Sequence, residues 1–110
     1  MEKIFQTACL KKKKARDKTY YYIELPENVV FDYYYVELQK FRDRFEIIIK
    51  MFSRLDNVKN WTFKRVRNRR FISIPPELVK TLELNTKRRL QVEMVSANKI
   101  VIRGAIRNDG

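Results

Sequence analysis

Short runs of alternating apolar and polar residues dominate this chain, and a three-to-four-residue spacing interrupts them where prolines fall. Leu90-Gln91-Val92-Glu93-Met94-Val95 alternates and predicts a strand. Ser96-Ala97-Asn98-Lys99 predicts a turn, and Lys99 to Arg103 the returning arm of a hairpin. Upstream, Phe71-Ile72-Ser73-Ile74 is short and β-rich, and Pro75 ends it because proline supplies no ladder N–H. Pro75-Pro76-Glu77 then suits a helix start, with φ already fixed and a carboxylate at the positive end of the dipole. Leu78, Val79 and Leu82 continue it at helical spacing for about two turns.

The first half carries the same plan. Tyr20–Leu25 predicts a strand, Pro26–Phe31 a short helix, and Tyr34–Gln39 with Arg44–Lys50 a hairpin. Laying Ile23-Glu24-Leu25-Pro26-Glu27 on Ile72-Ser73-Ile74-Pro75-Pro76 fixes an offset of 49 residues. Val29-Val30 then meets Leu78-Val79, Tyr33 meets Leu82, and Tyr35 meets Leu84. The expectation is one domain of two diverged repeats, about 1–52 and 57–104, joined near Ser53–Val58 and followed by a tail at 105–110. The fold class is mostly β with short helices.

Charge narrows the chemistry. The 110 residues carry 25 Lys+Arg against 13 Asp+Glu, a formal net charge of +12. Residues 1–55 hold 12 basic and 8 acidic side chains, and residues 56–110 hold 13 and 5, so the second half is the more basic. So basic a small domain is drawn to polyanions, nucleic acid before anionic membrane. There is no histidine, the commonest general base and metal ligand, and one cysteine, Cys9, forms neither an intrachain disulfide nor a zinc cage. Carboxylates are scattered singly and no glycine-rich phosphate loop is present. An enzyme, a metal, a cofactor and a small-molecule ligand are therefore not expected. No apolar run approaches the roughly 20 residues of a membrane span, and Met1–Leu10 lacks a signal-peptide core. With the lone cysteine, these features lead us to expect a cytoplasmic, nucleoid-associated protein. The small glycine count and Lys/Ile/Tyr/Glu-heavy composition suit a thermophilic archaeon or its virus, with the host cytoplasm as the site in the viral case.

Three basic clusters are the candidate binding residues: Lys11, Lys12, Lys13, Lys14, Arg16 and Lys18; Lys64, Arg65, Arg67, Arg69 and Arg70; and Lys87, Arg88 and Arg89. Each cation placed at a phosphate releases counterions, and arginine adds a planar fork for guanine edges. The lysine-rich first cluster is expected to grip backbone, and the arginine-rich second to supply base contacts. The plainer readings are a solvated arm for 11–18, an ion-paired edge for 65–69 and a charged turn for 87–89. Tyr20–Tyr22 and Tyr33–Tyr35 either stack on single-stranded bases or, at two-residue spacing, put half of each triplet in the core. Trp61 reads as a core or lid residue.

The second half resembles the AbrB/SpoVT/MazE family of swapped-hairpin DNA-binding domains. Phe63-Lys64-Arg65-Val66 resembles that family's first strand with its basic pair. Residues Ile72 to Leu84 resemble its Ile-Pro-x-Glu-Leu core and short helix, and Leu90 to Ile102 its closing hairpin. Lys87-Arg88 stands where the family has Gly-Asp, and Phe71 where it has an arginine. The resemblance implies a swapped-hairpin β-barrel, here an intrachain pseudo-dimer of two ββαββ-like repeats; a homodimer exchanging hairpins is the alternative. It further implies that the two pre-helix basic segments share one face, that Lys80 on the helix joins them, and that the function is transcriptional regulation through double-stranded DNA. An antitoxin-like interaction module and a sequence-tolerant single-strand binder are the other readings.

Overall fold

The computed structural model describes residues 4–53 and 63–106. Most of the expected linker at Ser53–Val58 and Trp61 lie outside these residues. The described chain is mostly β with one short helix: β1 (Ile4–Cys9), β2 (Lys11–Ala15), β3 (Lys18–Glu24), β4 (Tyr33–Lys40), β5 (Arg44–Phe52), β6 (Lys64–Arg65), β7 (Phe71–Ile74), α1 (Pro76–Thr81), β8 (Arg89–Ser96) and β9 (Lys99–Ala105). These strands form two antiparallel sheets, ordered β1-β8-β9-β5-β4-β6 and β2-β3-β7. Among the described residues neither sheet closes into a barrel, and no helix is long and apolar enough to cross a membrane.

The strand order alternates between the halves of the chain. In the large sheet β5 of the first half lies beside β9 of the second, with Ile48 opposite Val101. Outward from that pair, hairpin β4–β5 answers hairpin β8–β9, and edge strand β6 answers edge strand β1. In the small sheet β3 pairs with β7, with Ile23 opposite Ile72, the two residues that the 49-residue offset equates. Exchanging the halves thus maps the six-stranded order onto itself. Strands β7, β8 and β9 and helix α1 fall where the alternation and Pro75 place them.

Two expectations for the first half and the C-terminal end are corrected, and the plainer reading of 11–18 is set aside. The segment 11–18 is no loose arm: Lys11–Ala15 is a strand in register with Lys18–Tyr22. Charged edge strands resist sheet-to-sheet pairing, so four successive lysines are tolerated there. Pro26–Phe31 forms no helix. Val29 gives its N–H to the Arg69 carbonyl at 2.8 Å, and Leu25 gives its own to Arg70 at 2.7 Å, so long-range bonds replace the local ones a helix needs. In α1, by contrast, Leu78 and Val79 both donate to the Pro75 carbonyl. The expected tail begins later than residue 105, since β9 runs through Ala105 and Ile106 still donates to Asp43.

The core lies between the sheets. Ile23, Leu25, Phe45, Ile47, Ile49, Val92, Ile100 and Ile102 are wholly buried. Each such aliphatic or aromatic side chain contributes about 1.5–3 kcal/mol on leaving water. Leu10, between β1 and β2, is 2% exposed and plugs the point where the chain passes from one sheet to the other.

Candidate nucleic-acid interface

Hairpin β2–β3 outruns the sheet that holds its base. Register pairs run from Lys11–Tyr22 to Ala15–Lys18, whereas β7 pairs only with Tyr21 to Glu24. Residues 13 to 20 therefore form a two-stranded ribbon, with Lys12 at its base, and among the described residues no third strand pairs with either of its outer edges. Its surface carries Lys12, Lys13, Lys14, Arg16 and Lys18, all exposed, against a single carboxylate, Asp17. The turn holds two residues, and Arg16 adopts φ 56°. Glycine occupies such a position without strain, so an arginine there costs backbone energy while presenting a guanidinium at the tip.

Facing residues on antiparallel strands share a side of the sheet. Lys11, Lys13, Tyr20 and Tyr22 thus line one face, continued on β7 by Ser73 and Phe71. The same face borders an open groove of about 1080 Å³, whose cations are Lys13, Lys18, Lys64, Arg65 and Arg67, and whose walls include Tyr20, Tyr22, Tyr34 and Phe71. No acidic residue lines it among the described residues. Cations of the first and second basic clusters, 46 to 54 positions apart in the chain, meet here. Tyr22 meets Phe71 edge to face, centroids 5.3 Å apart at 84°, and the Lys11 ammonium lies 5.2 Å from the same Phe71 ring.

The remaining candidates divide differently. Arg65 belongs to the two-residue β6, and 66–68 are irregular, so Arg65, Arg67 and Arg69 do not extend along one regular strand. Arg69 bonds the Asp32 carboxylate at 2.9 Å and the Phe31 carbonyl at 2.6 Å. Arg70 donates through Nε to the Leu25 carbonyl at 2.7 Å in a half-buried setting. These two arginines fasten the segment before β7 to the segment after β3. Arg88 lies over the Phe45 ring, 5.5 Å from its centroid. Lys80, Lys87 and Arg89 are exposed, and none of them lines the groove. Arg70→Ala should cost about 1.5–3 kcal/mol in urea unfolding, the loss of a charged hydrogen bond to a half-buried carbonyl. The same variant should leave the salt dependence of nucleic-acid binding unchanged, which anisotropy titrations check.

The tyrosine triplets divide between interior and surface. Tyr34 and Tyr35 are buried, while Tyr20 is 47% exposed. The two-residue period marks which tyrosines share a face, but not which face meets the core. Burial raises the Tyr34 phenol above its ordinary 10.0, against hydrogen bonding with Ser73 and the nearby Arg67 charge, which pull it down. The native state therefore holds this proton when the unfolded chain has given it up. That contribution to stability is complete below pH 10 and is lost as pH climbs through the folded value. Urea midpoints at pH 8 and above pH 10 should fall more for the wild type than for Tyr34→Phe.

No family model matches the sequence, no curated protein matches it, and no solved structure matches the fold.

Proposed function

We propose that this protein is a DNA-binding transcriptional regulator that docks the β2–β3 ribbon into the major groove of duplex DNA. The observation that carries the reading is the ribbon: two strands wide, free on both edges and cationic to its tip. The major groove of B-DNA, roughly 12 Å wide, admits a two-stranded β-ribbon. Lys13, Lys14, Arg16 and Lys18 supply phosphate neutralisation as it enters, and Arg16 at the tip carries the planar fork suited to a guanine edge. Lys64, Arg65 and Arg67 stand across the groove and extend the contact to a neighbouring phosphate strand.

The AbrB-like resemblance is the structural half of the same proposal: two diverged copies that exchange hairpins within one chain. The alternation of half-chains in the large sheet and the Ile23–Ile72 pairing support it. The position of the basic ribbon, immediately before the β3–β7 pair, supports a shared DNA-facing side.

The test is a fluorescence-anisotropy titration of a mixed-sequence duplex across salt. Seven cations at phosphates predict a log K against log [salt] slope of about −6. A shallow slope, or no binding at low salt, contradicts the proposal and leaves the basic face as solvation.

A further inference from the structure

The ribbon accounts for its own cations but not for the aromatic groove at its base. That groove is too small for a double helix: its volume is about 1080 Å³, at the upper end of the roughly 300–1,000 Å³ that encloses a drug-sized ligand. Its surface is nonetheless arranged along a line. Tyr20 and Tyr22 sit two residues apart on the same face of β3, hence roughly 6.8 Å apart along the strand.

The two rings differ in how they are held. Tyr22 is backed by Phe71, and its backbone is paired on both sides, to Lys11 and to Ser73. Tyr20 lies just beyond the end of β7 and keeps nearly half its surface in water. Cations flank this row from both walls, Lys13 and Lys18 from the ribbon and Lys64, Arg65 and Arg67 from across the groove. A flat ring every second residue, with positive charge on either side and no carboxylate among the lining residues, matches a chain whose flat groups alternate with phosphates.

We infer that the groove is a second nucleic-acid site, for one extended single strand, with bases stacked on Tyr20 and Tyr22 and phosphates held by Lys64, Arg65 and Arg67. Base–aromatic stacking is tolerant of sequence because every base has a π-face, so this site discriminates strandedness rather than sequence. The inference rests on the same basic surface as the duplex reading and shares Lys13, Lys18, Lys64, Arg65 and Arg67 with it. Single strand and duplex therefore compete for the protein, and a bound single strand displaces the ribbon from the major groove.

The experiment compares two probes on the full chain: labelled oligothymidylate of about ten nucleotides and the mixed-sequence duplex. Tyr20→Ala should weaken the oligonucleotide about tenfold or more, and the duplex less than about twofold, while Tyr20→Phe restores single-strand binding. Arg67→Ala should reduce the single-strand salt slope by about 0.7. Tyr20 and Arg67 are exposed or at the surface of the groove, and unchanged unfolding midpoints confirm that each variant folds. Wild-type duplex binding with no oligonucleotide binding, or equal loss of both probes in Tyr20→Ala, overturns this inference and spares the duplex reading. Oligonucleotide binding that depends on Tyr20, without duplex binding, upholds the inference and overturns the ribbon's role. Failure of both probes at low salt overturns both.

Discussion

Replacing Lys13, Lys14, Arg16 and Lys18 together by alanine should lower duplex affinity on the order of 10³-fold at 0.1 M salt and flatten the salt slope by about 3.6. The size follows from counterion release: each neutralised phosphate contributes close to one power of ten at this salt concentration, and the effect shrinks as salt rises. All four side chains are exposed and outside the core, so the fold should survive. Arg16→Gly in isolation separates two effects. It removes the tip guanidinium but relieves the positive-φ strain, so it should bind less well while unfolding at equal or higher urea. A control that neutralises Lys80, Lys87 and Arg89 removes nearly as much charge from positions off the groove. If the control lost as much affinity as the ribbon variant, net charge rather than the ribbon would explain the binding.

The largest stability effect is expected at Phe45. Its ring is fully buried and lies opposite Gly104 across the β5–β9 pairing. A side chain at 104 would stand 2.6 Å from the Phe45 ring and 2.9 Å from Leu90, so glycine leaves the space that the ring fills. The Arg88 guanidinium covers the same ring. Phe45→Ala therefore empties a closed site between β5, β8 and β9, where packed neighbours relax little. The cost should be about 3–5 kcal/mol by urea unfolding. Against a total of about 5–15 kcal/mol for an ordinary domain, that loss threatens the folded state at 37 °C. Gly104→Ala acts in the opposite sense, overfilling the same place, and should cost about 1–3 kcal/mol.

Much of this architecture is legible in the residues, for local reasons. Alternation from Leu90 to Val95 and the proline step at Ile74-Pro75 are strong signals, and β7, α1, β8 and β9 lie within a residue or two of where they point. Offset 49 between Ile23 and Ile72 anticipates two strands that turn out to be direct partners. What is not legible depends on partners distant in sequence. A run of four lysines has little β propensity, yet pairing with the tyrosine-rich β3 makes it a strand. β1, Ile4–Cys9, gives no clear pattern of its own and forms because β8 offers it an edge. Residues 26–31 begin with a proline as α1 does, but the Arg69 carbonyl captures the Val29 N–H, and the Arg70 carbonyl that of Leu25 just before them.

The basic clusters show the same division. Composition marks all three as phosphate-binding candidates, and the fold brings five of their cations to one groove. Arg69 and Arg70 look identical to Arg65 and Arg67 in the sequence. Only the folded chain reveals that their donors are occupied by Asp32, Phe31 and Leu25. The groove's aromatic wall was likewise hidden, because a tyrosine triplet in a strand fits the core and the surface equally well.

The most direct test of the central claim is the amide spectrum of the ¹⁵N-labelled protein titrated with duplex DNA at moderate salt. Ribbon docking predicts the largest shift changes at residues 11–20, with a second, smaller group at 64–67 and little change from 76 to 99. Changes concentrated at Lys80 and Lys87–Arg89, with a silent ribbon, would contradict it and place the DNA-facing side on the helix and the turn before β8.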